Sequence, residues 1–371
     1  MLFRSLNPEG RGDTVYNHSM SNPIKGRGST DRIAHRFERW QRLSDDWECD
    51  PQESQARPTP TQVTLQTARS AISRNDSPDI GFEQSINPYR GCEHGCSYCY
   101  ARPYHSYLDG SPGLDFETRL VARANLPQVL QQELSRPTYR PSVLAIGTVT
   151  DAYQPIERQY RITRQILQIM LDTRHPCAVV TKGSAILDDL PLLSELASHR
   201  LLAVYVSLCT LQAELARVME PRAASPLKRL DIIRRLSEAG IPVGVSVAPQ
   251  IPFLNTDMED CLEAAHQAGA RRAFYSVLRL PHELSPLFRQ WLQDHRPLAA
   301  QRIMARIADL RGGKDYDASW GQRKTGQGVW AQLLSQRFNL TCARLGMNQQ
   351  PFECRSNAFT PPRLDGQAVL F

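Results

Sequence analysis

The chain has 371 residues, 41% of them hydrophobic, and a formal charge of +6. That is enough apolar material for one large domain with extensions or two ordinary domains, and it excludes a chain too polar to build a core. No run approaches the roughly 20 consecutive apolar residues of a membrane span, and the start, Met1-Leu2-Phe3-Arg4-Ser5-Leu6-Asn7-Pro8, lacks the apolar stretch of a secretory signal, so a cytoplasmic protein that meets no membrane is the expectation.

Residues 1–75 are rich in Arg, Ser, Gln, Pro and Gly, with Pro58-Thr59-Pro60 near the end. Apolar periodicity at Ile33–Leu43 predicts one helix, and the rest reads as a basic, largely disordered amino-terminal arm. From about residue 76 the texture changes to a core that runs to residue 310. A strand is expected near Ile80–Asn87, followed by buried strands at Val143–Thr148, Cys177–Lys182, Leu201–Leu208, Pro242–Val247 and Ala273–Leu278. Between and after them lie helical stretches at Arg158–Leu171, Leu187–Ala197, Ser225–Ala239, Asp257–Ala268 and Pro286–Leu310. Apolar, β-branched runs that alternate with amphipathic helices signal βαβ units on a parallel sheet. About six units fall short of the eight of a closed barrel. The expected fold is α/β: a partial (β/α)6 TIM-like barrel with amino- and carboxyl-terminal extensions.

Residues 311–371 form a basic, Gly-rich segment with a helix near Val329–Gly346. Residues 1–42 and 311–371 each hold eight Lys/Arg against four Asp/Glu, so the excess positive charge sits at the two ends. Such segments track a polyanion, or serve as solvated tails.

The nine cysteines are an odd number, which argues against a disulfide framework, and three of them crowd into Cys92-Glu93-His94-Gly95-Cys96-Ser97-Tyr98-Cys99. Thiolates suit zinc or an iron–sulfur cluster. Structural zinc takes four ligands in spaced pairs, and only His94 lies between these thiols to serve as a fourth. Three thiolates on a four-iron cluster leave one iron open to a ligand, the same principle that separates catalytic from structural zinc. Cys342 and Cys354, twelve residues apart, could bind a second metal or pair with each other.

The C-x3-C-x-aromatic-C pattern after the first strand of a β/α series resembles the radical S-adenosylmethionine (SAM) superfamily. Asn87-Pro88-Tyr89-Arg90-Gly91-Cys92, Thr150-Asp151-Ala152-Tyr153-Gln154-Pro155, Thr181-Lys182, Glu220-Pro221-Arg222 and Ala248-Pro249-Gln250-Ile251-Pro252 are similar to its spore photolyase-like branch over about residues 80–320. The resemblance implies a [4Fe-4S] cluster on Cys92, Cys96 and Cys99, with S-adenosyl-L-methionine on the open iron. It implies reductive cleavage to a 5′-deoxyadenosyl radical, an external electron donor such as flavodoxin or ferredoxin, and DNA-repair-like lyase chemistry on nucleic acid. A protein or small-metabolite substrate, and a non-catalytic Fe–S or zinc module that binds nucleic acid, are the alternatives.

Ligands of parallel β/α folds bind at the carboxyl ends of the strands. That rule places Thr150 and Asp151 after the second strand, Lys182 after the third, Ser207 after the fourth, and Ala248 and Pro249 after the fifth beside SAM, against the alternative of loop and cap residues. Lys182 matches the SAM-contacting lysine of the resemblance, and Arg222 joins the site as one half of a pair with Glu220, unless that pair is a helix-end salt bridge. The resemblance further implies that Tyr98 is an aromatic wall against the cofactor and Tyr100 a hydrogen-atom relay, with core packing as the competing role for both. The relatives' hydrogen-donating cysteine has no counterpart in Ile146-Gly147-Thr148-Val149-Thr150. Cys209 is the substitute, or a buried structural thiol.

Overall fold

The computed structural model describes residue 24, residues 26–30, 32–38 and 60–363. Six parallel strands make the core sheet: β1 (Gln84–Ile86), β2 (Leu144–Ile146), β3 (Cys177–Thr181), β4 (Leu202–Ser207), β5 (Val243–Ser246) and β6 (Arg272–Phe274). Each pairs with the next in sequence, and the two-residue strand Ser73–Arg74 adds antiparallel to the free edge of β1. Among the described residues no pairing joins β6 back to β1. A sequential order puts every crossover on the same side, so one face of the sheet becomes the inside of an open barrel. This is the expected (β/α)6 partial barrel.

The sheet is covered on both faces, so its central strands are largely apolar. Val179, Val204, Val206, Val243 and Val245 are buried, and so are Ile166, Leu193, Leu196, Ile232, Ile233 and Leu262 from the outer helices. Those helices are α1 (Leu126–Leu134), α2 (Ile162–Asp172), α3 (Leu190–Ser198), α4 (Pro226–Glu238), α5 (Met258–Gln267), α6 (Leu284–His295), α7 (Pro297–Asp309) and α8 (Gly328–Arg344).

Two predicted helices are broken. The one over Arg158–Leu171 is interrupted at Arg161, whose φ is 49°. There the Glu157 carboxylate accepts the Thr163 and Arg164 amides, at 3.1 and 3.2 Å, and so caps α2. The stretch Pro286–Leu310 divides at Arg296, which precedes Pro297 and is driven out of helical conformation by the proline ring. A small second sheet of Gln62–Leu65, Arg119–Ala122 and Tyr89–Arg90 was not anticipated. Its strands are too short to show a period.

The helix expected at Ile33–Leu43 is not present over its described part, where residues 32–38 run as coil and turn; residues 39–43 lie outside the described residues. Residues 26–30 and 32–36 lie against the core. Arg32 pairs with Asp115 at 2.9 Å, Ile33 exchanges hydrogen bonds with Ser111, and Arg36 pairs with Glu283.

The carboxyl-terminal segment also docks. Arg323 grips Asp79, Lys324 donates to the Asp79 carbonyl at 2.9 Å, and the Lys324 carbonyl accepts the Val277 amide. Buried Arg311 donates to the Gln322 and Leu278 carbonyls, while Arg337 pairs with Glu259. The basic residues of 311–344 read from the sequence as open to a polyanion are therefore largely taken up inside the chain. No helix among the described residues is long and apolar enough to cross a membrane.

Buried His175 sits below β3, with Tyr139 Oη at 2.7 Å and the Pro176 carbonyl at 2.9 Å. Burial pulls its pKa down to about 4, below the ~6.5 of an unfolded histidine. As pH falls from about 6.5 toward 4 the unfolded state takes up a proton and the folded state does not, so stability is lost in that window, by at most about 3 kcal/mol. Urea midpoints at pH 7 and pH 5 should differ more for the native chain than for His175→Gln; equal differences would refute the assignment.

Candidate functional site

The cysteine loop lies over the carboxyl ends of the strands. It leaves Tyr89–Arg90 and turns on Gly91 and Gly95, both left-handed with φ of 73° and 65°. At Gly91 a Cβ would meet the Leu120 side chain at 2.6 Å, and at Gly95 the Glu117 carboxylate at 2.6 Å, so glycine is required twice. A loop with no ladder must satisfy its backbone elsewhere. Arg102 does this: its Nε donates to the Cys96 carbonyl at 2.9 Å, and its other four N–H groups reach the carbonyls of Gly95, Pro112 and Gly113 and the Glu117 carboxylate. Arg102 and Glu117 are fully buried. The Gly28 amide donates to the other Glu117 oxygen at 2.9 Å, which ties the amino-terminal arm to the same node.

Cys92, Cys96 and Cys99 are free thiols, the first two buried and the third half-buried. Cys96 packs with Tyr98 and Cys209, Cys92 packs with Ala101 and Phe116, and Cys99 touches both groups. Burial and then the nearby Asp151 carboxylate push the Cys92 thiol well up. Cys96 is pushed up to about 12 by burial and the Glu220 carboxylate, against the pull of Lys182. Among the described residues no three His, Cys, Asp or Glu side chains converge where a single metal ion would sit. That spacing disagrees with a single tetrahedral zinc, whereas thiolates bound to separate irons of one cluster need not converge. His94 is not a fourth ligand; its Nδ1 faces Asp151 at 3.3 Å.

Lys182 stands beside this loop, its Nζ 5.9 Å from the Tyr98 ring centre. Burial alone would lower its pKa, but Cys96 and Glu220 outweigh that and hold it above the ordinary lysine value. Asp151, expected beside SAM, is instead saturated. It accepts from Thr181 Oγ1 at 2.6 Å and the Lys182 and Tyr153 amides at 2.7 and 2.9 Å. These bonds and His94 keep its carboxyl far below the usual range in spite of burial. Asp151 is thus a positioning residue: it sets the turn that presents Lys182 and clamps it to the cysteine loop. Thr150 is likewise spent, donating to the Tyr89 carbonyl at 3.1 Å.

The pairing of Arg222 with Glu220 does not form. Arg222 lies 3.1 Å from Glu93, at the outer edge of the loop. Glu220 is buried and bridges Arg229 and the Tyr98 hydroxyl. Arg229 also donates to the Ser207 carbonyl at 3.1 Å, which brings the end of β4 into the network. Ala248 and Pro249 follow β5, where the Asn255 amide joins the Pro249 and Cys209 carbonyls at 2.9 and 2.7 Å. The Tyr100 hydroxyl donates to the Thr148 carbonyl, and Arg279 lies 3.9 Å over its ring. Cys209 is buried, 4.0 Å from the Tyr98 hydroxyl. Cys342 and Cys354 are free and, among the described residues, join no metal-ligand group.

Several site residues escaped the sequence reading. Asn87 accepts the Val149 amide at 2.8 Å and Gln154 bridges Glu93 N and Gly91 O, so both lock the loop from below. They lie inside segments already picked out, but polarity alone did not mark Asn87 as half-buried or Gln154 as buried. Arg102, Glu117 and Arg229 are scattered in sequence and carry no spacing signal.

The radical SAM superfamily model matches residues 86–267. An uncharacterized protein of Mycobacterium tuberculosis is 37% identical over 238 residues, 63% of this chain and 70% of the relative. One from Methanocaldococcus jannaschii is 27% identical over 62% of this chain and 83% of its own length. Among solved structures, spore photoproduct lyase complexed with dinucleoside spore photoproduct shares the fold, with a TM-score of 0.55, 16% identity, and coverage of 77% of this chain and 80% of that one.

Arg102→Met should cost about 3–5 kcal/mol, because it leaves Glu117 buried without its partner. Guanidinium unfolding of the cluster-free protein measures this; a loss under 1 kcal/mol would show that the loop does not depend on the ion pair.

Proposed function

We propose, because the chain belongs to the radical SAM superfamily, that Cys92, Cys96 and Cys99 hold a [4Fe-4S] cluster and that the protein binds SAM for radical chemistry on nucleic acid. The observation that carries this is three thiols on one glycine-turned loop over the strand ends, with the Lys182 ammonium alongside. The bound group supplies one-electron cleavage of SAM and, with it, a 5′-deoxyadenosyl radical for hydrogen abstraction.

The chain's own residues have distinct tasks. Lys182 offers a cation for the SAM carboxylate, while Asp151 fixes the turn that carries it. Tyr98, Glu220 and Arg229 form a closed, buried network behind the loop that excludes water. Ala248 and Pro249 flank the same cleft, held by Asn255. An external one-electron donor of flavodoxin or ferredoxin type supplies the reducing equivalent.

Nucleic acid as substrate rests on Tyr100 with Arg279 stacked on it at the barrel mouth, a cation and a flat ring beside Cys99. Among the described residues Arg279 has no carboxylate partner. The fold shared with spore photoproduct lyase supports the same substrate class. The loop after β2 presents Val149 and no thiol, so hydrogen return from that loop is not part of the reading.

Two measurements test this. Each of Cys92→Ser, Cys96→Ser and Cys99→Ser should lose most of the iron incorporated on anaerobic reconstitution. Lys182→Met should keep the cluster spectrum but raise the KM for SAM about tenfold or more; a full cluster that yields no 5′-deoxyadenosine with dithionite and SAM would sink the enzymatic reading. Binding of a single-stranded oligonucleotide should weaken with salt, and Arg279→Gln should lower the slope by about one unit. A flat salt response would remove nucleic acid as substrate.

A further inference from the structure

Beside the cysteine loop, on the free-edge side of β1, lies a cavity of about 350 Å³. Lys182 is not among its lining residues, whereas Asn87 and Thr150, beyond the ends of β1 and β2, are. Its wall toward the loop is Gly91, Ala101 and Val149, and the last two pack in the same cluster as Cys92 and Cys99. Arg90, Arg123, Ser70 and Ser73 are among its polar lining residues, and no Asp or Glu lines it.

The two arginines are placed by the small second sheet. Arg90 is the exposed member of Tyr89–Arg90, and Arg123 follows the strand Arg119–Ala122 that pairs with it. Among the described residues neither is in a salt bridge. Arg123 is half-buried and fixed by bonds to the Asn87 and Ser70 carbonyls, yet its Nε has no partner. Burial and then the facing Arg90 lower its pKa, and the one carboxylate that opposes this, Glu133, is already occupied by the Ala71 and Ile72 amides. Two unneutralised guanidiniums in one cavity are costly unless an anion joins them. His105, 3% exposed, is a further unsatisfied group of the lining, with no partner at Nδ1.

The rim is aromatic for a geometric reason. Arg102–Leu108 is a 3-10 helix, in which residues three apart share a face. Ala101, Tyr104 and Tyr107 therefore line the cavity together, and both tyrosine rings remain more than half exposed. Tyr107 is backed by Phe37, with ring centres 5.2 Å apart, and by Arg36.

We infer that this cavity is a binding site for a nucleotide unit, its phosphate held by Arg90 and Arg123 and its base laid on Tyr104 and Tyr107. Bidentate guanidinium contacts suit phosphate, exposed tyrosines suit a flat ring, and the volume is that of a small-ligand pocket. The site needs nothing from the radical chemistry, and its test is separable from it.

The test is calorimetric titration of the full-length, cluster-loaded protein, saturated with SAM, with AMP, inorganic phosphate and adenosine. AMP should bind saturably and more tightly than either fragment. Arg90→Gln and Arg123→Gln should each weaken AMP about tenfold or more, and Tyr104→Ala should weaken AMP while leaving phosphate unchanged. Circular dichroism and iron content confirm that the variants fold. Absence of saturable AMP binding, or equal AMP affinity in Arg90→Gln, would overturn the site. A parallel loss of oligonucleotide affinity in Arg90→Gln assigns the nucleotide to a strand, and an unchanged affinity assigns it to a free nucleotide; both outcomes support the site.

Discussion

The cysteine loop depends on one guanidinium. A loop that wraps a metal cluster turns its thiols inward and leaves its carbonyls without a ladder, and buried unpaired carbonyls are expensive. Arg102 has five N–H groups, and all five are used: four on backbone carbonyls of the loop and its neighbour, and one on Glu117. Glu117 then returns the charge and takes the Gly28 amide as well. Lysine, with three donors on a flexible stem, could not span these acceptors. At Gly28 an added Cβ would stand 1.7 Å from the Gly95 carbonyl, so the amino-terminal arm lies directly on the loop that Arg102 holds.

A second node fixes the loop to the barrel. Asp151, at the end of β2, holds Thr181 and the Lys182 amide at the end of β3, and faces His94 within the cysteine loop. Arg229 from α4 reaches the end of β4 through Ser207, and reaches Tyr98 in the loop through Glu220. Three adjacent strand ends are thereby linked to one loop by buried polar groups, each satisfied by the next. Such networks place side chains to a fraction of an ångström, which is what open metal sites require. Lys182, Tyr100 and Arg279 remain half-buried, whereas Glu220 and Arg229 behind them are fully buried.

The six strands and most of their helices were legible because they follow a period, and burial on both faces leaves continuous apolar runs such as Leu202–Ser207. The three cysteines were legible because their crowding is improbable without a metal. The small sheet was not, since strands of two to four residues carry no period. The roles of Asp151 and Glu220 were misjudged for a related reason. Strand-end position predicts that a residue is near the ligand, but not whether its oxygens are already taken by the backbone. Glu220 lay two residues from Arg222 and pairs instead with Arg229, because the turn after Met219 sends the two side chains to opposite sides of the loop.

Charge shows the same limit of sequence reading. Counting placed the positive excess at the two ends of the chain, but a count does not see partners. In the carboxyl-terminal segment Arg323, Lys324, Arg311 and Arg337 are bound to Asp79, to carbonyls and to Glu259. Paired surface charges contribute little to long-range attraction, because each ion pair is nearly neutral beyond a Debye length. What remains is local: Arg279 on Tyr100, and Arg90 with Arg123 behind the cysteine loop. These cations lack carboxylate partners among the described residues and stand next to flat rings. They lie beside Cys99 and Cys92, whereas the paired cations of residues 311–344 hold the carboxyl-terminal segment to the core.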